Sequence, residues 1–80
     1  MRLPRDLTGA QLVRDLGKLG YTPTRQTGSH VRLTCESPAQ HHVTVPLHDP
    51  LRIGTLVAIL AAVAEAQGLT RDELLQSLFG

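Results

Sequence analysis

The hydrophobic residues of this chain change their spacing twice, and this change limits the folds that the chain can adopt. Near the start, Leu12, Leu16 and Leu19 recur at helical spacing. Over residues 21–46 the apolar residues alternate with polar ones, as in strands that bury one face. Helical spacing returns after residue 53. The pattern therefore predicts a helix, a set of strands, and then helices again.

The first helix is predicted over about residues 9 to 19. Thr8 and Gln11 have the spacing of a capping box, in which each side chain bonds the other residue's backbone. Gly20 stands where a left-handed residue commonly ends a helix.

Two more helices are predicted toward the C-terminus. Helical spacing covers about residues 54 to 67, and Gly68 ends it. Thr70 and Glu73 form a second capping box, which opens a short last helix. These two helices are expected to give the core seven aliphatic residues, namely Leu56, Ile59, Leu60, Val63, Leu74, Leu75 and Leu78.

Three strands are predicted between the first two helices, over residues 21–26, 29–36 and 41–46. Pro23 marks the first as an edge strand. In the second strand, alternation places four side chains inward and four outward: Ser29, Val31, Leu33 and Cys35 inward, and His30, Arg32, Thr34 and Glu36 outward. In the third strand it places Val43 and Val45 inward, and His42 and Thr44 outward.

The predicted order is α-β-β-β-α-α. Eighty residues fit one small domain, so we expect residues 1–80 to form a single unit. A three-stranded antiparallel sheet with helices packed on one face is an α+β fold, as in double-stranded RNA-binding domains.

The charged residues are divided unequally along the chain. Residues 1–35 contain six basic and two acidic side chains, whereas residues 36–80 contain two basic and five acidic ones. A basic half is typical of proteins that bind phosphate groups, although a solvated surface with scattered arginines gives the same count. Tyr21 and Phe79 are the only aromatic residues, which argues against a stacking platform for single-stranded bases.

Cysteine content and apolar segments exclude further classes. Cys35 is the only cysteine, so no intramolecular disulfide and no multi-cysteine metal site can form. The N-terminal segment lacks the apolar run of a signal peptide, and the longest apolar stretch, residues 53–64, is too short to span a bilayer. We therefore expect a cytoplasmic protein without membrane contact.

The outward side chains of the second strand form a candidate site for RNA cleavage. An imidazole such as that of His30 can exchange a proton with a ribose hydroxyl near neutral pH. The guanidinium of Arg32, on the same face, can hold a phosphate and stabilise its growing charge. Gly28 would let the backbone approach the phosphodiester, and Ser29 could orient the imidazole. The alternative is a solvated strand histidine with no role.

A metal site built from the other histidines is a second alternative. His41 and His42 are adjacent, so they point to opposite faces of a strand and cannot easily bind one ion. No cysteine cluster or carboxylate pair joins them or His48 to complete a ligand set. We therefore expect no metal and no cofactor.

Three segments resemble, in order and at compatible spacing, the HicA toxin family. They are GYTPTRQTGSHVRL, HVTVPLHD and LRIGTLVAILAAV, and the resemblance covers about residues 8 to 67. The matching positions are Gly20, Tyr21, Arg25, Gly28, Ser29, His30, Val43, Val45, Pro46, His48, Gly54, Thr55, Leu56, Ile59 and Leu60.

The resemblance implies the toxin of a type II toxin–antitoxin system. HicA-like toxins are small mRNA interferases with a double-stranded RNA-binding-domain-like fold, and the histidine of their GSH motif is catalytic, a role that carries onto His30. Their partner is a HicB antitoxin, which covers that histidine. We therefore expect a metal-independent endoribonuclease that acts on mRNA and inhibits translation. Arg25, Gly28, Ser29 and Arg32 are the residues that we expect to contact the RNA.

The chain also departs from the family pattern. Family members are often strongly basic, with lysines around the histidine and in the second helix. Here Val31 follows the motif, and residues 56–67 contain no basic residue. RNA affinity increases with the number of phosphates neutralised, so we expect binding that is weak or confined to the side of Arg25 and Arg32. A non-catalytic RNA-binding module and a protein-interaction domain without nuclease activity are the alternative functions.

Other motif positions are expected to serve the fold. Gly54 and Thr55 should begin the second helix, and His48 should fix the loop before it rather than act as a second catalytic base. The last segment, residues 69–80, should only pack on the core.

Overall fold

The structure, a computed structural model, describes residues 2–80 and has the predicted order of elements. The predicted α+β class is confirmed. Its helices and strands are α1 (Gly9–Leu16), a 3₁₀-helix (Gly17–Leu19), β1 (Thr22–Thr27), β2 (His30–Cys35), β3 (His41–Pro46), α2 (Ile53–Gln67) and α3 (Arg71–Phe79).

The three strands form one antiparallel sheet in the order β1-β2-β3. β2 lies in the centre, where Val31 pairs with Val45 and Arg32 pairs with Thr44. β1 lies at one edge of the sheet, which confirms the position indicated by Pro23, and all six of its residues are exposed. β1 therefore extends the surface of the sheet and adds no side chain to the core.

One face of the sheet is covered by the helices, and the core lies between the two layers. Every aliphatic residue predicted to enter the core from the last two helices is buried. Leu74, Leu75 and Leu78 of α3 are 0–1% exposed, so the last helix is an integral part of the core. Burying a leucine side chain stabilises a fold by roughly 1.5–3 kcal/mol, which is substantial for a domain of this size.

The helix ends follow the sequence signals. Both predicted capping boxes form, at Thr8 with Gln11 and at Thr70 with Glu73. The first helix does not continue as an α-helix to residue 19, because its last turn tightens into the 3₁₀-helix with a Gly20 N–H to Gly17 carbonyl bond of 3.1 Å. Gly20 then adopts a left-handed conformation at φ 91°, which glycine permits.

One predicted side-chain orientation was wrong, and one outward side chain is more buried than its position on the sheet suggested. Ser29 does not face the core from a strand, since it is exposed in the turn before β2. Thr34 lies on the outer face of the sheet as predicted, yet it is only 7% exposed. Its hydroxyl is covered by Thr24 and His42, at 2.7 Å from the Thr24 hydroxyl and 2.9 Å from His42 Nδ1.

Within residues 2–80, no single helix is long and apolar enough to cross a membrane. α2 and α3 reach that length and composition only when they are taken together, across a bend of 104°.

Candidate functional site

The outer face of the sheet contains a shallow depression of about 290 Å³. It crosses all three strands, because Thr27 pairs with His30, and Arg25 and Thr44 lie on either side of Arg32. Its lining residues are Arg25, Thr27, His30, Arg32 and Thr44. The structure thus brings three of the five predicted site residues, the histidine and both arginines, into one concave surface.

A β-bulge in β1 places Arg25 in this depression. Pro23 pairs with Leu33, but the register shifts by one residue before Arg25, which pairs with Arg32. Without the shift, Arg25 would oppose Val31 and would face the helices. The bulge therefore turns the guanidinium toward the face that carries His30.

The arginines of the depression have no acidic partner. Neither guanidinium bonds to a carboxylate within the described chain, and no lining side chain is acidic. Lys18 is different, since its ammonium lies 3.5 Å from Asp15 and donates to the carbonyl of Leu78 at 2.8 Å. Two unpaired guanidinium groups in one concave surface favour an anionic ligand.

Gly28 and Ser29 lie in the turn beside the depression and are not part of its lining. Gly28 is left-handed, at φ 57°, and its carbonyl accepts the Gln26 side-chain amide at 3.0 Å. The Ser29 carbonyl accepts the Leu47 N–H at 2.6 Å. The Ser29 hydroxyl makes no hydrogen bond to the His30 ring, so the structure does not give it the predicted orienting contact.

The hydrogen bonds divide the four histidines into two kinds. His41 Nδ1 donates to the Ala39 carbonyl at 2.7 Å, and its Nε2 therefore accepts from the Tyr21 hydroxyl at 2.6 Å. His42 Nδ1 bonds the Thr34 hydroxyl at 2.9 Å. These two rings are held by structural contacts.

His30 and His48 are the other kind. Both are exposed, and neither ring has a hydrogen-bond partner among the described residues. Their ring centroids lie 6.4 Å apart at an angle of 73°. The prediction that His48 fixes its loop is only partly met, since its backbone carbonyl accepts the Gly9 N–H at 2.9 Å while its imidazole is left free. The sequence signal was present, because antiparallel pairing puts the end of β3 beside the start of β2.

The other motif positions have the structural roles that were predicted. Gly54 and Thr55 lie in the first turn of α2.

Within residues 2–80, no three side chains of the histidine, cysteine, aspartate and glutamate types form a group that could hold a metal ion.

Comparison with protein families decides the class of this chain. Residues 9–64 match the family model described as HicA toxin of bacterial toxin-antitoxin. The chain belongs to the HicA toxin family. It is therefore the toxin of a toxin–antitoxin system. No curated protein and no solved structure matches it.

The HicA match begins at the first residue of α1 and ends within α2, so it includes the whole sheet and the depression. α3 lies outside the match, although its leucines are among the most buried residues of this HicA-family chain. The matched segment and the last helix form a single hydrophobic core.

Proposed function

We propose that this HicA-family toxin is an mRNA interferase, an endoribonuclease that cleaves mRNA without a metal ion and so inhibits translation and growth. The observation that carries the proposal is the position of His30, an exposed imidazole without a hydrogen-bond partner beside two unpaired guanidinium groups. A group that exchanges protons and groups that bind phosphate are the two requirements of this chemistry.

The reaction that fits this site is transesterification followed by hydrolysis. The ribose 2′-oxygen loses its proton and bonds to the adjacent phosphorus, while the bond from phosphorus to the 5′-oxygen breaks and that oxygen gains a proton. His30 acts as general acid/base in this exchange. The guanidinium groups of Arg25 and Arg32 stabilise the negative charge that grows on the phosphate oxygens.

The turn before His30 is proposed to contact the RNA backbone. Gly28 has no Cβ, and beyond its two chain neighbours no atom lies within 4 Å of the place where one would stand. The backbone at Gly28 is therefore accessible, and a phosphodiester can approach it closely. The exposed hydroxyl of Ser29 is available to the same strand of RNA.

The proposed RNA contact is limited to the side of Arg25 and Arg32. Residues 56–67 of α2 contain no basic residue, so that helix adds no phosphate contact. When the logarithm of the RNA affinity is plotted against the logarithm of the salt concentration, each neutralised phosphate contributes about 0.7–0.9 to the magnitude of the slope. We therefore expect a small slope, set by these two arginines.

The partner is proposed to be a HicB-type antitoxin that covers His30 in the cytoplasm. The unpaired arginines require acidic groups on the protein that covers them, because a buried guanidinium without a partner is costly. The antitoxin and the RNA would then compete for one surface, which keeps the toxin inactive until the antitoxin is removed, for example under stress.

A protein-interaction function without cleavage is the second candidate. The observation in its favour is the exposure of two apolar residues of α2, Ile53 at 61% and Val57 at 47%. The two residues stand four positions apart on one face of the helix, and contiguous exposed apolar surface marks contacts between proteins.

The experiment that tests the proposal is cleavage of RNA by the purified toxin in excess EDTA. We expect fragments with 5′-hydroxyl ends, formed at the same rate with and without the chelator. Activity that disappears on chelation and returns with a divalent ion would contradict the metal-independent mechanism. RNA that binds but stays intact would favour the non-catalytic RNA-binding module, and no binding would favour the protein-interaction function.

A further inference from the structure

His30 and His48 are the two histidines whose rings have no hydrogen-bond partner among the described residues. They are neighbours in space, although 17 residues lie between them in the sequence. Their rings lie 6.4 Å apart, and no hydrogen bond joins them. His41 has both ring nitrogens in hydrogen bonds, to Tyr21 and Ala39, and His42 has Nδ1 bound to Thr34. His30 and His48 are therefore the two histidines that lie next to each other and have both ring nitrogens free to contact a substrate.

Backbone hydrogen bonds fix the position of His48. The N–H of Leu47 donates to the Ser29 carbonyl at 2.6 Å, which joins the residue before His48 to the residue before His30. The Gly9 N–H donates to the carbonyl of His48 itself at 2.9 Å. The N–H of Leu51 donates to the Leu7 carbonyl at 2.8 Å and holds the far end of the same loop. These bonds position the backbone of His48 and do not involve the imidazole, whose nitrogens therefore stay available.

The chemistry proposed for this site requires two proton transfers. One proton leaves the 2′-oxygen and another reaches the 5′-oxygen, and both oxygens are bonded to the same phosphorus in the transition state. Two groups that each hydrogen-bond one of these oxygens must therefore lie within the span of one phosphate of each other. A single imidazole can do this only by moving its proton from one oxygen to the other, whereas two imidazoles can act together.

We propose that His48 is a second catalytic residue, and that His30 and His48 divide the two proton transfers between them. One ring accepts the proton of the 2′-hydroxyl as the 2′-oxygen bonds to phosphorus. The other ring donates a proton to the 5′-oxygen as its bond to phosphorus breaks, so that no net proton is consumed. This inference rests on the proposed ribonuclease function.

The test compares two RNA substrates that differ at one atom. The first is an RNA with a bond that the wild-type toxin cuts, and the second is the same RNA with a bridging 5′-sulfur at that bond. A thiolate leaves without being protonated, so a variant that lacks only the general acid should cut the sulfur substrate normally. Rates are measured for wild type, His30→Ala, His48→Ala and, as a control, His42→Ala.

On the ordinary RNA we expect His30→Ala and His48→Ala each to lose about 100-fold or more in rate, the usual contribution of general acid–base catalysis. On the sulfur substrate we expect one of these two variants, and only one, to recover to near the wild-type rate. His42→Ala should cut both substrates like wild type.

Two outcomes would overturn the role of His48. One is a His48→Ala variant that cuts ordinary RNA at the wild-type rate, and the other is a sulfur substrate that rescues neither variant. A His30→Ala variant that cuts ordinary RNA at the wild-type rate would contradict the catalytic role of His30, whereas a wild-type toxin that cuts no RNA would contradict the proposed function itself. Circular dichroism of each variant shows that a lost rate comes from the missing ring, since the backbone bonds that hold the loop are kept in His48→Ala.

Discussion

The backbone N–H of Gly9 donates to the carbonyl oxygen of His48 at 2.9 Å, so the first turn of α1 lies directly on the loop that follows β3. The approach leaves no room for a side chain at Gly9. A Cβ there would overlap the Pro46 carbonyl oxygen and lie 2.8 Å from the Cα of Leu47. Because these are backbone atoms, they cannot move aside without moving the loop.

We predict that Gly9→Ala destabilises the protein by about 1–3 kcal/mol, the usual cost of inserting an atom into a closely packed site. The free energy of unfolding, measured by urea denaturation, tests this. Gly17→Ala is the matched control, because a Cβ at Gly17 meets no atom within 4 Å and its φ is −57°. Alanine is favoured over glycine in a helix, so the control should be neutral or stabilising. Equal stability of the two variants would show that α1 does not pack on the loop in this way.

Tyr21 is 2% exposed and lies in a polar network under the sheet. Its hydroxyl donates to His41 Nε2 and accepts the Gln67 side-chain amide at 3.3 Å. Burial raises the pKa of Tyr21 above the ordinary value of 10.0, because it disfavours the charged phenolate, and the bond from Gln67 opposes this shift without cancelling it.

A consequence for stability at high pH follows from this raised pKa. A group whose pKa is higher in the folded state stabilises the fold fully below its unfolded pKa, and this contribution is lost as the pH rises through the folded value. Tyr21 is the only tyrosine, so the ultraviolet absorbance of tyrosinate reports on it alone. We expect a midpoint above pH 10 in the native protein and near pH ~10 in urea. In Tyr21→Phe, the free energy of unfolding should decrease less between neutral pH and the alkaline range. A native midpoint at or below that in urea would contradict the burial of the hydroxyl.

The sequence was sufficient to predict the fold because its signals are local. The capping boxes at Thr8 and Thr70 mark where helices begin, and the alternation of apolar residues in β2 defines a buried face. The same alternation put His30 and Arg32 on one outward face. These predictions depend only on residues close to one another along the chain.

The rest of the site depends on contacts between distant segments. The bulge that turns Arg25 outward arises from the pairing between β1 and β2, and no residue type in the sequence predicts it. Thr34 is covered from both sides, by Thr24, the extra residue of that bulge, and by His42 of the other neighbouring strand. His48 reaches His30 through a loop whose path is set by α1. Antiparallel pairing indicates that the end of β3 lies near the start of β2, but neither local propensity nor periodicity specifies the path of the loop beyond β3.

The charge of the outer face gives a prediction for the antitoxin. We expect Arg32→Glu to slow association with the cognate antitoxin several-fold and to make the rate less sensitive to salt, because a steering charge is reversed. RNA binding should weaken as well, with its salt slope reduced by about one. The measurements are association rates and RNA affinities across a sodium chloride series.

Arg71→Glu is the control for this prediction, since it changes the net charge by the same amount on α3, away from the sheet. If the antitoxin binds both variants at the wild-type rate, it inhibits from another surface and the shared basic face is wrong.

We propose that His30 performs the chemistry of this toxin. The most direct measurement is the rate at which purified His30→Ala cuts RNA in the presence of EDTA, beside wild type and His42→Ala. His30 is exposed on the outer face of the sheet, so its removal should leave the circular dichroism spectrum unchanged. We predict a loss of about 100-fold or more in rate for His30→Ala and none for His42→Ala. A folded His30→Ala protein that cuts RNA at the wild-type rate would contradict the account.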